Sequence, residues 1–264
     1  MTFSTLIQQS NQIDTLRYPF KRYYWVPFGG STEGFPMSHH VKAPLSASLE
    51  STDGFVAPRY RSGQRSADAL LEAGRALLAD ISYEALTIND LCSEADLTKG
   101  AFYRRFESKD AFFIALQKLA LDDAARVKDA LASEMECRDG GLSTLEAARS
   151  VVESMRLWHL RHCGVIRASL QRRDHTTDGW RPFKDYAQGF VDDIALRMTR
   201  LSELRGKKDV LTRLKIGFQT VIATMINAAL NDPGPLRLDD PAMTEALAQM
   251  LAIFAIGPSF DATR

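Results

Sequence analysis

Lys99, Tyr103, Arg104, Arg105 and Lys109 fall within one short run, LTKGAFYRRFESK, that begins at Leu97. Ammonium and guanidinium groups donate charge-assisted hydrogen bonds to phosphate, carboxylate or carbonyl acceptors, and a phenol adds one neutral donor. Between residues 98 and 109 four cations face one carboxylate, Glu107, so the run carries a local excess of positive charge. In a helix successive side chains are about 100° apart and residues i and i+4 share a face. Lys99 with Tyr103, and Gly100 with Arg104, then look outward, while Phe102 with Phe106 and Leu97 supply an apolar underside.

Three caps position this run. Thr87 suits the N-cap of a short helix over 88–95, in which Ile88, Leu91, Cys92 and Ala95 follow the i, i+3, i+4, i+7 rule. Asp96 and Leu97 break it, Thr98 caps a second short helix through Arg105, and Ser108 caps a long third helix opening KDAFFIALQ. Two short helices across a tight turn predict a helix-turn-helix. Such a helix fits the major groove of double-stranded DNA, where base edges present distinct donor and acceptor patterns. Lys and Arg suit guanine acceptors or phosphates, Gly100 permits close backbone approach, and Tyr103 suits a phosphate oxygen. The free N–H groups after Thr87 and Ser108 favour anions.

The segment TINDLCSEADLTKGAFYRRFESKDAFF resembles the DNA-binding signature of the TetR family of transcriptional repressors. Thr87, Leu91, LTKGAFYRRF and the SKD that opens the next helix carry the resemblance, which covers residues 65–115 in detail. It implies base-edge contacts from Lys99, Gly100, Tyr103 and Arg104, and phosphate contacts from Thr87, Thr98, Arg105 and Lys109. Asn89, where the family often has Arg, is a further candidate for a base or phosphate. The turn departs from the family in holding Asp96 where Gly is usual; Asp tolerates the left-handed conformation. Arg59, Arg61 and Arg65, ahead of the first helix, are placed to follow the DNA backbone or minor groove.

Around this motif the chain reads as all-α. Its 264 residues carry 33 basic and 33 acidic groups, which excludes a uniformly basic coat, and residues 59–118 hold nine of each. The case for DNA therefore rests on where charge points. Residues 1–60, with Pro19, Pro27, Pro36, Pro44 and Pro58, show no sustained period and read as a disordered or loosely structured extension; Met37 is an alternative first residue. An aromatic stretch in it, RYPFKRYYWVPF, suits docking onto another surface. A DNA-binding domain is expected over 61–112, a helical ligand-binding and dimerisation domain over 113–258, and a tail over 259–264. In RSADALLEAGRALLAD the stripe is Ala69, Leu70, Ala73, Ala76 and Leu77, and later helices are expected near 143–162, 164–173, 180–205, 208–230 and 241–256.

The last two helices are apolar over broad faces, from Val210 to Ala229 and from Met243 to Phe254, as buried or shared helices are. The resemblance implies a homodimer formed through 208–230 and 241–256, which sets two recognition helices on a palindromic site. It also implies ligand-controlled repression by a small apolar effector, with Trp158, Trp180, Phe183, Tyr186 and Phe190 as candidate walls. The rival is a helical metal-binding or enzymatic bundle using His159 and His162, with Cys163 or His175 as a third ligand. A scaffold gripping an acidic protein is a second rival. No metal site or cofactor is expected, and no GxSxG, phosphate-cradling loop or paired-carboxylate motif points to an enzyme. Three scattered cysteines (Cys92, Cys137, Cys163) fit a reducing compartment, and the absence of a signal peptide or long apolar run points to a cytoplasmic protein with no membrane segment.

Overall fold

The helical period is realised as eight α-helices among the described residues: α1 (Arg61–Asp80), α2 (Ile88–Glu94), α3 (Lys99–Tyr103), α4 (Lys109–Cys137), α5 (Thr144–Gln171), α6 (Arg181–Met198), α7 (Val210–Asn231) and α8 (Ala242–Ile256). The structure, a computed structural model, describes residues 45–49, 52–138, 141–172, 179–231 and 234–257, all within one unit, Lys42–Arg264. The stretch RYPFKRYYWVPF, the 259–264 tail and His175 lie outside the described residues. No described helix is long and apolar enough to cross a membrane.

Two apolar cores form. The first joins α1, α2, α3 and the start of α4 around Leu70, Leu78, Leu91, Phe102, Phe106 and Phe112, and takes in Val165 and Ala168 of α5 and Phe183 of α6. The second joins the far end of α4 and the first half of α5 with α6, α7 and α8, around Val151, Ile194, Leu214, Phe218, Met225 and Leu251. Burying one such side chain contributes about 1.5–3 kcal/mol. With 29 and 28 residues, α4 and α5 are each roughly 40 Å long, enough to reach both cores.

Four sequence expectations change. The buried stripe of α1 is Ala67, Leu70, Leu71, Ala73, Gly74 and Leu78, whereas Ala76 is exposed and Ala69 and Leu77 are half-buried. The turn of the stripe follows Gly74, where a Cβ would stand 2.4 Å from the Phe112 ring. The two helices expected near 143–162 and 164–173 are the single helix α5. Gly164, a breaker by composition, is there for a helix crossing: a Cβ on it would lie 2.2 Å from the carbonyl oxygen of Leu78 in α1. One turn on, Arg167 donates to the Leu78 and Ala79 carbonyls at 2.8 and 2.6 Å, satisfying the last carbonyls of α1.

The third change concerns the extension. Residues 45–49 form a 3-10 turn, Leu49 is fully buried in the first core, and Phe55 is buried beside Phe106, so the loosely structured expectation for 1–60 does not hold over 45–49 and 52–57. Further along, α6 stops at Met198 rather than 205, and Leu201 and Leu204 are buried in the turns that follow.

Gly164→Ala should lower the urea midpoint. Overpacking at this crossing costs about 1–3 kcal/mol and outweighs the roughly 1 kcal/mol that Ala gains over Gly in a helix. A raised midpoint would exclude the crossing as drawn.

Candidate nucleic-acid interface

Each cap read from the sequence is in place. Thr87 Oγ1 accepts from the Asp90 amide at 3.1 Å, and Asp90 Oδ2 accepts from the Thr87 amide at 3.0 Å, a reciprocal capping box that holds the Asp90 carboxyl below its ordinary value. Thr98 Oγ1 accepts from the Ala101 amide at 3.2 Å and Ser108 Oγ from the Ala111 amide at 3.0 Å. Between α2 and α3 the Leu97 amide donates to the Cys92 carbonyl at 2.8 Å and the Asp96 amide to that of Ser93 at 3.3 Å. That pair is a Schellman motif, and Asp96 occupies its left-handed position with φ of 52°. The turn that the family builds with Gly is therefore built here with Asp.

The underside of α3 is held by rings. Phe102 and Phe106 are fully buried with centroids 5.5 Å apart, and Phe112 packs against both, edge-on to Phe106 at 5.0 Å. The opposite side carries Lys99, Gly100 and Arg104, all exposed, and Tyr103, which keeps 55% of its surface and meets Phe102 edge-on at 5.4 Å. A Cβ on Gly100 would meet nothing nearer than Thr98 Oγ1 at 3.8 Å, so no internal contact requires the glycine. What the missing side chain leaves open is the approach from outside. Asn89 is exposed on α2, which packs on α3, and Thr87 and Thr98 are exposed at the caps.

Two of the expected phosphate contacts sit differently. Lys109 is half-buried, its Nζ 2.9 Å from both the Tyr83 and Leu86 carbonyls and 4.3 Å from the Tyr83 ring centroid. Two of its three N–H donors thus close the α1–α2 connection onto α4. Asp110 beside it accepts from the Tyr83 hydroxyl and, at 2.9 Å, from Arg172 at the end of α5. Arg105 leans back over the first turn of α1, where a Cβ on Gly63 would stand 2.2 Å from its Nη2, while its Nη1 donates to the Arg104 carbonyl. Sequence reasoning missed both placements because each depends on the α1–α2 connection or the α1 start folding against α3 and α4.

The proposed effector walls are divided between the two cores. Trp158, Trp180 and Phe183 belong to the first core, with Trp180 stacked on Phe183 at 5.5 Å and the Trp158 indole donating to the Ala120 carbonyl. Tyr186 and Phe190 belong to the second core. The Tyr186 hydroxyl is buried without a hydrogen-bond partner, and burial, with Asp129 adding to it, pushes its pKa up to about 12. A shallow hollow lies elsewhere, on the outer face of α7, lined by Ile216, Gln219, Thr220, Ala223, Thr224 and Asn227.

His159 and His162 have protein partners of their own. His159 Nδ1 is 2.7 Å from the Met155 carbonyl of its own helix, and His162 Nε2 is 3.0 Å from Asp123 Oδ2 on α4. Among the described residues no three His, Cys, Asp or Glu side chains converge as a metal site would. Burial drives His159 down to about 4 and also lowers His162. Burial alone would raise Asp123, but His162, Arg161 and Arg126 together hold it down to about 2.

Residues 70–116 match the family model described as bacterial regulatory proteins, tetR family. Among solved structures, the chain is similar to a TetR-like transcriptional regulator from Rhodococcus sp. RHA1, at 18% identity over 76% of this chain and 96% of that one, with a TM-score of 0.43. It is also similar to a gamma-butyrolactone receptor (ArpA like protein), at 21% identity over 72% and 98%, with a TM-score of 0.38. No curated protein matches the chain.

The buried histidines set an acid response. His159 titrates lower in the folded chain than the ordinary 6.5, so the unfolded chain takes up the proton first as pH falls. The stability contributed by the neutral ring is complete above 6.5 and is lost as pH falls through about 4; Asp123 then loses its own contribution between 3.8 and about 2. Urea midpoints should fall steadily from pH 7 to 4.5 in the wild type and less steeply in His159→Gln. Equal slopes would show that the imidazole is not buried neutral.

Proposed function

We propose that this chain, whose residues 70–116 match the model of bacterial regulatory proteins of the tetR family, is a DNA-binding transcriptional regulator that acts as a homodimeric, ligand-released repressor of a palindromic operator. The observation that carries the DNA contact is the outer side of α3. Lys99, Tyr103 and Arg104 are exposed there, and no ion pair among the described residues engages Lys99 or Arg104. Beside them lies a glycine that the fold itself does not need. In the major groove Lys99 and Arg104 reach base acceptors, Gly100 lets the backbone close in, and Tyr103 reaches an edge or a phosphate. Asn89 adds a contact from α2, and Thr87, Thr98 and Arg105 meet the sugar-phosphate rim. Lys109 acts chiefly by fixing the α1–α2 connection and has one donor left for a phosphate.

The second copy binds through α7 and α8. Most of their apolar stripe is spent inside the chain, on Leu214, Phe218, Val221, Met225, Leu247 and Leu251. What remains outside is Ile253 at 71% exposure, with Ile256, Ile216 and Leu211 between 36% and 39%. Small and short side chains at Thr220, Ala223 and Thr224 permit close approach of a partner helix. Two copies joined there present two α3 helices to half-sites roughly 34–36 Å apart.

A small apolar effector would enter between α4 and α6 near Tyr186, whose buried hydroxyl lacks a partner. It releases DNA only as far as it binds the non-binding form more tightly than the binding one.

Selection of bound fragments from a random duplex library should return a palindrome. Arg104→Ala should relax one base position in each half-site and cost about 1–3 kcal/mol there. Equal retention of the selected duplex by wild type and Tyr103→Ala/Arg104→Ala would overturn the reading. Ile253→Glu should shift the sedimentation coefficient from dimer to monomer without loss of helical circular dichroism; a monomeric wild type would remove the dimer.

A further inference from the structure

Residues 54–61 dock against the connection from α3 to α4 in a way that the helix-turn-helix does not require. The Val56 amide donates to the Arg105 carbonyl at 2.8 Å and the Glu107 amide to the Gly54 carbonyl at 3.0 Å, an antiparallel bridge that sets Phe55 opposite Phe106. The two rings lie 5.3 Å apart, and Phe55 is buried. Gly54 has φ of 71°, and a Cβ there would be 2.6 Å from that of Ala111, so only glycine lets the segment lie this close to α4. Upstream, the fully buried Leu49 and a 2.9 Å bond from the Ser46 amide to Asp68 anchor the segment again.

After Phe55 the chain turns outward. Val56 is 51% and Tyr60 77% exposed, and Arg59 and Arg61 are exposed. From Gly54 to Ala67 there is no carboxylate, and no ion pair among the described residues engages Arg59, Arg61 or Arg65. Elsewhere Arg75, Arg126, Arg149, Arg156, Arg172 and Arg197 all have carboxylate partners. Two points hold the free arginines near α3: Val56 bonded to Arg105 on one side, and Gly63 under the Arg105 guanidinium on the other. Arg59 is three residues from Val56, so it lies within about 15 Å of the Arg105 carbonyl at full extension. That reach is close to the ~12 Å width of the major groove.

We propose that residues 54–61 are a strap docked on the α3–α4 connection, just past the recognition helix, that gives the protein a second DNA contact, with Arg59 and Arg61 on phosphates at the rim of the groove that α3 enters. The proposal rests on the DNA-binding reading above. The bridge to residues 105–107 fixes the register of the strap, so α3 and the arginines meet the duplex as one rigid surface.

The test uses the full chain and a pool of random-sequence duplexes of roughly two helical turns, with affinity measured against salt. Arg59→Ala/Arg61→Ala should flatten the slope of log K against log salt by about two units and leave the base preference from library selection unchanged. Arg59→Lys/Arg61→Lys should restore the slope. Gly54→Ala, which keeps every charge but displaces the strap, should weaken binding with its urea midpoint recorded alongside. A double-alanine slope equal to wild type overturns the strap, and if Arg104→Ala still alters base preference the DNA-binding reading survives that failure. A wild type that retains no duplex at any salt overturns both.

Discussion

A helix of five residues cannot hold itself together, since nucleating a helix costs more than one turn of hydrogen bonds returns. α3 exists because Phe102 and Phe106 are buried beneath it against Phe112, and because Thr98 and the Asp96–Leu97 turn fix its start. Truncating one of these rings would cost about 3–5 kcal/mol, comparable with the whole stability of many domains. Tight anchoring on one side leaves the other free of structural duty. Lys99, Gly100 and Arg104 are exposed there, and Tyr103 touches the core only through the edge of Phe102.

Charge follows the same division. The protein is neutral overall, yet its cations are not treated alike. Arg156 and Arg213 are almost fully buried and spend their donors on Leu238, Thr244 and Phe254, clamping α8 to α5 and α7. Arg167 closes the end of α1 and Arg172 ties the end of α5 to Asp110. Against this background the exposed cations of α3 and of the residues ahead of α1 form a zone where positive charge stays uncompensated. A neutral protein with such a zone binds a polyanion in one orientation, whereas a uniformly basic one binds in many.

The sequence was most legible where chemistry is local. Thr87, Thr98 and Ser108 announced their caps, Asp96 took the left-handed turn, and the i, i+4 pairing of Phe102 and Phe106 identified the buried side. It was least legible where one element must fold onto a distant one. The break expected between 162 and 164 is absent, and only the crossing of α1 shows why Gly164 sits inside α5. Phe55 looked unstructured because a two-residue apolar pair has no period; its partner Phe106 lies 51 residues on. Lys109 read as a phosphate contact, yet two of its donors go to carbonyls at Tyr83 and Leu86 that no side-chain pattern reveals. The broad stripes of α7 and α8 were real, but most of their width is filled by the chain's own second core.

The two cores are joined by helices that run unbroken through both. α4 begins under the recognition helix at Ser108 and ends beside Leu131 in the second core, and α5 carries Val151 at one end and Val165 at the other. Val151 of α5 and Leu131 of α4 meet Phe190 and Ile194 of α6 in the second core, so both helices are packed at each of their ends. At those ends sit the contacts that hold the motif in place: Lys109 on the α1–α2 connection, Arg172 on Asp110, and Gly164 against Leu78. The Tyr186 hydroxyl is buried without a partner on α6, and a donor or acceptor supplied there would remove a desolvation cost of about 1–3 kcal/mol. That sum is the size of a typical coupling between distant sites. The same pair of helices that packs beneath the helix-turn-helix is therefore also part of the second core.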